Sequence, residues 1–170
     1  MSFRSITILL LMFSMNSNLL SSQTALSSLE GTWHVNMSNF NMWLKGNKLN
    51  PRFNYTIQTK RKRVGLMDVV SYYQNEKQKV IKGFDTPLND QATRFLWKGK
   101  GLLFLFRSKW EILFQNDTWK VIHFEKTLFT KEGYDVISRQ KNFDEVTIKE
   151  IRQKLKELGI EKELLVISQQ

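Results

Sequence analysis

The residues whose unperturbed side chains titrate near neutrality are few: His34 and His123 are the only histidines, and the 170 residues include no cysteine. Imidazole titrates near neutrality and is the usual nitrogen ligand of zinc, so its scarcity narrows the chemistry at once. The two histidines do not stand at a metal-ligand spacing. His123 has Glu125 two residues on, which puts both on one side of an extended strand; a hydrogen-bonded structural histidine is the expected reading. His34 faces outward if Trp33 faces in. There is no glycine-rich phosphate loop, no G-x-S-x-G elbow and no H-E-x-x-H helix. The expectation is a protein that is not an enzyme and has neither metal nor cofactor. An enzyme acting through His123 on a bound lipid is the weakest alternative.

A net charge of +10 suits phosphate-rich partners, because neutralised phosphates release counterions. The lysines, however, are scattered in ones and twos, the pattern of a solvated surface, and no nucleic-acid partner is expected. The one dense cluster, Lys60, Arg61, Lys62 and Arg63 before Gly65, reads as a hairpin tip. It supports an alternative function, docking on an anionic membrane or polysaccharide. Asn36, Asn54 and Asn116 open N-x-S/T triplets, acceptor sites for N-glycans in a eukaryotic secretory route, with the first two on the outward parity of their strands.

The elements must hold whatever function there is. Arg4, an apolar run from Ile6 to Phe13 and a polar stretch from Ser14 to Ala25 follow the order of a secretory signal. Asn16, Ser17 and Asn18 interrupt the run well short of the ~30 Å of a bilayer core. Residues 1–25 are therefore expected to be a cleaved signal and 26–170 one secreted or periplasmic domain, a monomer or weak dimer. Without cysteine it has no disulfide framework, so burial must stabilise it.

From Gly31 to Arg139, short alternating runs recur about every ten residues between turn-forming residues, the rhythm of a sandwich or barrel. Trp33, Val35 and Met37 form one such run; Phe53, Tyr55 and Ile57 another; Phe95 and Trp97 a third; Trp110, Ile112 and Phe114 a fourth. Several runs are apolar on both sides, as at Val121 beside Ile122 and Val136 beside Ile137, so the outer face needs a cover. Residues 142–160 supply it: Ile148, Ile151, Leu155 and Leu158 fall three and four apart, on one helical face. Asn142 with Glu145 reads as the capping box, Gly159 as the stop, and residues 163–168 as a short last strand. The prediction is a mainly β fold of about eight antiparallel strands with one C-terminal helix outside. A closed eight-stranded sheet has room for side chains plus one small ligand.

Gly31-Thr32-Trp33 on the first strand, with Arg139 in "VISRQ" closing the eighth and a helix and short strand after it, resembles the lipocalins, most closely the small bacterial-type outer-membrane branch. The family's middle motif is absent: "FQNDTWK", residues 114–120, keeps only Asp117. The resemblance implies an up-and-down barrel in which Gly31, Trp33 and Arg139 are structural, the arginine lying across the indole at the closed end. It implies a carrier of a small hydrophobic molecule, a fatty acid or lysophospholipid, lined by Trp43, Phe53, Tyr55, Ile57, Phe95, Trp97, Trp110, Ile112 and Phe114. It also places the basic hairpin at the closed end, far from the mouth. The mouth would be built from residues 39–51, 98–106 and 126–133. Leu102 to Phe106 would then either extend the sixth strand and pack under the first loop, the preferred reading, or form a greasy rim in transient contact with an anionic membrane.

Overall fold

The computed structural model describes residues 25–60, 62–128 and 130–170. Apart from Ala25, the expected leader lies outside the described residues, as does Arg61 of the basic cluster. The alternating runs become β1 (Gly31–Ser38), β2 (Leu49–Lys60), β3 (Arg63–Gln74), β4 (Lys77–Pro87), β5 (Arg94–Gly99), β6 (Arg107–Gln115), β7 (Trp119–Phe124) and β8 (Gly133–Ser138). Each pairs antiparallel with the next, and β1 bonds to both β8 and β2, so the eight strands close into an up-and-down barrel. The two-residue β9 (Leu165–Val166) pairs with Met37 and Ser38 on the edge of β1 that β2 leaves as it diverges.

Closure sorts the apolar residues into two layers. Trp33, Val35, Phe53, Tyr55, Phe95, Trp110 and Ile137 belong to the interior cluster, which Leu26 and Leu29 join from the segment before β1. Met37, Trp119, Val121 and Val136 face outward and are covered by Ile151 and Leu155 of α2 (Glu145–Glu157; α1 is the short turn below). This is the cover that the doubly apolar strands required. The helix begins later than predicted. Asp144 is the cap, its Oδ1 accepting from Thr147 N at 2.7 Å, because it stands directly before the first helical residue. Asn142 is instead tied to Gln169, donating to its carbonyl and accepting from its N–H at 2.8 Å. Gly159 ends the helix at φ +70°, a left-handed conformation that favours glycine. Leu158 is left partly exposed and Ile160 is buried in its place.

Two irregularities reset which way side chains point. Register shifts between Val35 and Met37 in β1 and between Ile112 and Phe114 in β6. An extra residue in one strand reverses the inward–outward parity beyond it. Met37 and Phe114 consequently join the outer layer under α2.

The one-turn α1 (Asn41–Leu44) in the β1–β2 connection carries Trp43 inward. Residues 98–106 correct the preferred expectation: they neither extend β6 nor pack under the first loop. The chain turns back through a short 3-10 turn at Gly101–Leu103, with the carbonyl of Leu103 placed where a side chain on Gly99 would stand. Leu102 is 97% exposed, Leu105 76% and Phe104 57%.

Candidate functional site: an acid-bearing aromatic cavity

Inside the barrel is a cavity of about 220 Å³. Five of the nine predicted lining residues reach it: Trp43, Phe53, Tyr55, Trp97 and Trp110. Strand alternation delivers Phe53 and Tyr55 from β2. Tyr55 stacks on Trp110 at 6.0 Å, and Trp110 on Phe95 at 4.3 Å. Phe40, Met42, Val70, Ile81 and Phe124 complete the apolar wall.

The other four predictions are corrected. Phe95 is fully buried beneath Trp110, and Ile57 and Ile112 pack against the same interior cluster without reaching the cavity. Phe114 lies outside the barrel, 4.8 Å from the Trp119 ring and with Lys154 Nζ 5.0 Å from its centroid. The bulge in β6 is the reason.

Composition did not point to the carboxylates. Asp68 and Asp135 line the cavity, and Asp85 sits behind Trp110, its Oδ1 accepting from the indole N–H at 2.7 Å. All three are at most 5% exposed. The neighbouring side chains of Ser38 and Trp43 partly offset the effect of burial on Asp135, and that of Trp97 its effect on Asp68. Asp68 Oδ1, Asp85 Oδ2 and Asp135 Oδ1 nevertheless have no hydrogen-bond partner among the described residues. Burial pushes the Asp68 and Asp135 carboxyls up to about 7. Asp85 is raised well above the ordinary carboxylate range by burial first and the charge of Asp68 second. Burial and then the charges of Asp68, Asp85 and Asp135 raise the Tyr55 hydroxyl as well, so the three acids surround one phenol. Among the described residues, no lysine, arginine or histidine lines the cavity.

At the closed end Arg139 Cζ stands 3.7 Å from the Trp33 ring centroid, with Lys120 Nζ at 4.9 Å. The guanidinium also donates to the carbonyls of Thr32 at 2.8 Å and Glu30 at 2.5 Å. Gly31, at φ +99°, leaves it room: a Cβ there would come 3.0 Å from Arg139 Nη1. His123 stacks on Tyr134 at 4.9 Å and reaches Glu111 at 3.2 Å and Glu132 at 2.8 Å, outside the cavity. Its carboxylate partners are these two and not Glu125. His34 is held below its usual pKa by burial and then by Arg52. No group of three His, Cys, Asp or Glu able to hold a metal occurs among the described residues.

Asn36 is corrected as a glycan acceptor. It is 1% exposed, covered by the chain that follows β8, and its amide donates to the carbonyls of Gln140 and Lys141. Asn54 donates to Thr32 Oγ1 at 2.8 Å, and Asn116 is exposed in the β6–β7 turn, its Oδ1 accepting from Thr118 and Trp119.

The basic hairpin is also placed differently from expectation. Lys60 Nζ lies 5.7 Å from the Phe84 ring, which packs over Gly65. Its end therefore folds against the outer face of β4 and β5. There Lys60 and Arg63 share a groove with Lys98, Lys100, Gly101 and Phe104 of the β5–β6 turn. It is not remote from that turn.

No family model matches the chain, and no curated protein matches it. Solved structures do match. Lobster apocrustacyanin A1 superposes with a TM-score of 0.61 at 12% identity, over 85% of this chain and 79% of that one. The siderocalin Ex-FABP gives 0.61 at 12%, over 84% and 95%. The cockroach allergen Per a 4 gives 0.60 at 14%, over 85% and 88%. The fold is that of the lipocalins: a closed eight-stranded antiparallel barrel, a C-terminal helix outside it and an added strand. The bacterial outer-membrane branch is not among these likenesses.

Proposed function

We propose that the protein is a carrier that holds one small hydrophobic molecule inside its barrel, working outside the cytosol as the signal-like leader suggests. The observation that carries this reading is the cavity itself, a half-open aromatic chamber whose largest rings come from four different strands and α1. Pockets of this make-up bind by apolar burial, with a few polar groups fixing orientation. The siderocalin that shares the fold is described as functioning through dual ligand specificities, which makes a ligand role a reasonable proposal here. Of the acyl ligands expected from the sequence, a fatty acid or a lysophospholipid would have to keep its anionic group at the mouth, because the walls carry carboxylates and no cation. The test is a titration with the neutral probe N-phenylnaphthylamine. Saturable quenching of tryptophan emission, weakened about tenfold in Trp43→Ala through lost aromatic burial, is expected. Linear, non-saturable quenching in both proteins would refute the reading.

A second reading, contact with an anionic membrane, has its own observation. Lys60, Arg63, Lys98 and Lys100 line one groove without an acid, next to the exposed Leu102, Phe104 and Leu105. Apolar insertion combined with cationic attraction is how reversible membrane contact is made. Sedimentation with vesicles containing phosphatidylglycerol should exceed that with phosphatidylcholine alone and should fall with salt. Leu105→Asp should abolish it. Equal sedimentation with both vesicle types would count against this surface.

A further inference from the structure

We infer that the ligand of the barrel carries a protonated amine, seated against Asp68 and Asp135, with its apolar or aromatic body between Trp43, Tyr55, Trp97 and Trp110. The inference rests on the carrier reading and specifies its ligand.

The argument begins from two oxygens. Asp68 Oδ1 and Asp135 Oδ1 belong to side chains that are 5% and 1% exposed, line the cavity and have no partner among the described residues. A buried acceptor without a donor carries the full desolvation cost of that group. The neighbouring side chains offset burial only in part, that of Trp97 at Asp68 and those of Ser38 and Trp43 at Asp135. One oxygen of each carboxyl is left free. A third acid, Asp85, stands behind Trp110 and accepts from its indole N–H. Among the described residues no lysine, arginine or histidine lines the cavity to neutralise these carboxylates.

The complement must come from the ligand, and three features select an organic ammonium. An ammonium brings three donors and a positive charge to a lining whose free carboxylate oxygens have neither. The rest of the surround is aromatic, and indole and phenol faces attract a desolvated cation. A hard metal ion instead needs about six to eight oxygen ligands, and the described residues contain no such group. Size agrees: 220 Å³ is below the ~300 Å³ at which pockets for drug-sized ligands begin. The cavity is matched to a compact amine with an apolar body of one to three rings.

Local sequence built this seat. Asp68 stands on the inward parity of β3, between Leu66 and Val70, and pairs across the sheet with Gly83. Because Gly83 lacks a side chain, the Trp97 indole lies over it: a Cβ there would be 2.0 Å from Trp97 Nε1. The indole can then reach Asp68.

The experiment compares three probes of one shape by calorimetry at about pH 8, where a primary amine is charged: phenethylamine, phenethyl alcohol and phenylacetate. The amine should bind at least about tenfold tighter than the alcohol, and phenylacetate weakest, since charged hydrogen bonds exceed neutral ones. Asp68→Asn and Asp135→Asn should each erase the amine's advantage over the alcohol, the ratio of the two affinities falling to about one. Both variants keep the shape of the side chain, and thermal melts report whether they fold. If the amine binds no better than the alcohol, or phenylacetate binds best, the inference is overturned and the carrier reading stands. If none of the three binds and N-phenylnaphthylamine gives no saturable quenching either, both fall.

Discussion

Gly83 and Arg139 show how much single residues decide. A methyl group on Gly83 would collide with the Trp97 ring, and overfilling of this kind costs about 1–3 kcal/mol. Gly83→Ala should lower the urea midpoint and, by moving Trp97 off Asp68, weaken ligand binding; an unchanged midpoint would show that the ring does not depend on that gap. At the floor, Arg139→Ala removes a cation-π contact and hydrogen bonds to Thr32 and Glu30. Together these contribute about 2 kcal/mol, measurable by urea unfolding. The floor was legible in the sequence, since glycine, tryptophan and a distant arginine form a recognisable pattern. The seat for a charged group was not read, although the signal was there. Asp68 and Asp85 interrupt alternating runs on their inward side, where aspartate is rarely placed in a strand, and the parity that identified Phe53 and Tyr55 would have turned both acids inward.

At the scale of elements, periodicity carried most of the information. Eight strands, an outer helix and the glycine that stops it all follow from spacing, because a side-chain period of two or 3.6 survives in sequence whatever the tertiary contacts. What periodicity cannot carry is the point at which it slips. A bulge adds one residue, leaves composition unchanged and reverses every later side chain on that strand. Phe114 was assigned to the cavity for this reason, whereas Asn36 was assigned to the solvent because the segment that covers it, Gln140 and Lys141, is distant in sequence. The helix and the cavity are separate layers, so they should respond separately. Leu155→Ala, emptying the space between α2 and Val121 and Val136, should cost about 2–5 kcal/mol of stability with little change in ligand affinity. A matching loss of affinity would mean that the helix helps shape the cavity. The β5–β6 turn was misjudged because a run of five apolar residues reads as buried strand, whereas here it is presented to solvent.

For the whole molecule, the buried acids set a pH dependence. Asp68 and Asp135 have folded-state pKa values raised to about 7, well above the ~3.9 of an unfolded aspartate. Between these limits the folded state holds protons that the unfolded chain has released. Stability of the empty protein should therefore fall as pH rises from about 4 to about 7, by up to roughly 1.4 kcal/mol per pH unit for each acid, and level off above. His34, depressed by burial and Arg52, works oppositely, costing stability as pH falls below its ordinary 6.5. Thermal melts across this range should show the decline, and Asp68→Asn should flatten it; stability that rises steadily from pH 4 to 7 would contradict the assignment. A molecule that carries uncompensated acids in its core is one whose interior is completed by something it binds. The most direct measurement is native mass spectrometry of the protein purified from its own host. The account predicts a population heavier than the chain by one small molecule, released on collisional activation. A spectrum of the bare chain alone, under conditions that preserve added N-phenylnaphthylamine complexes, would contradict it.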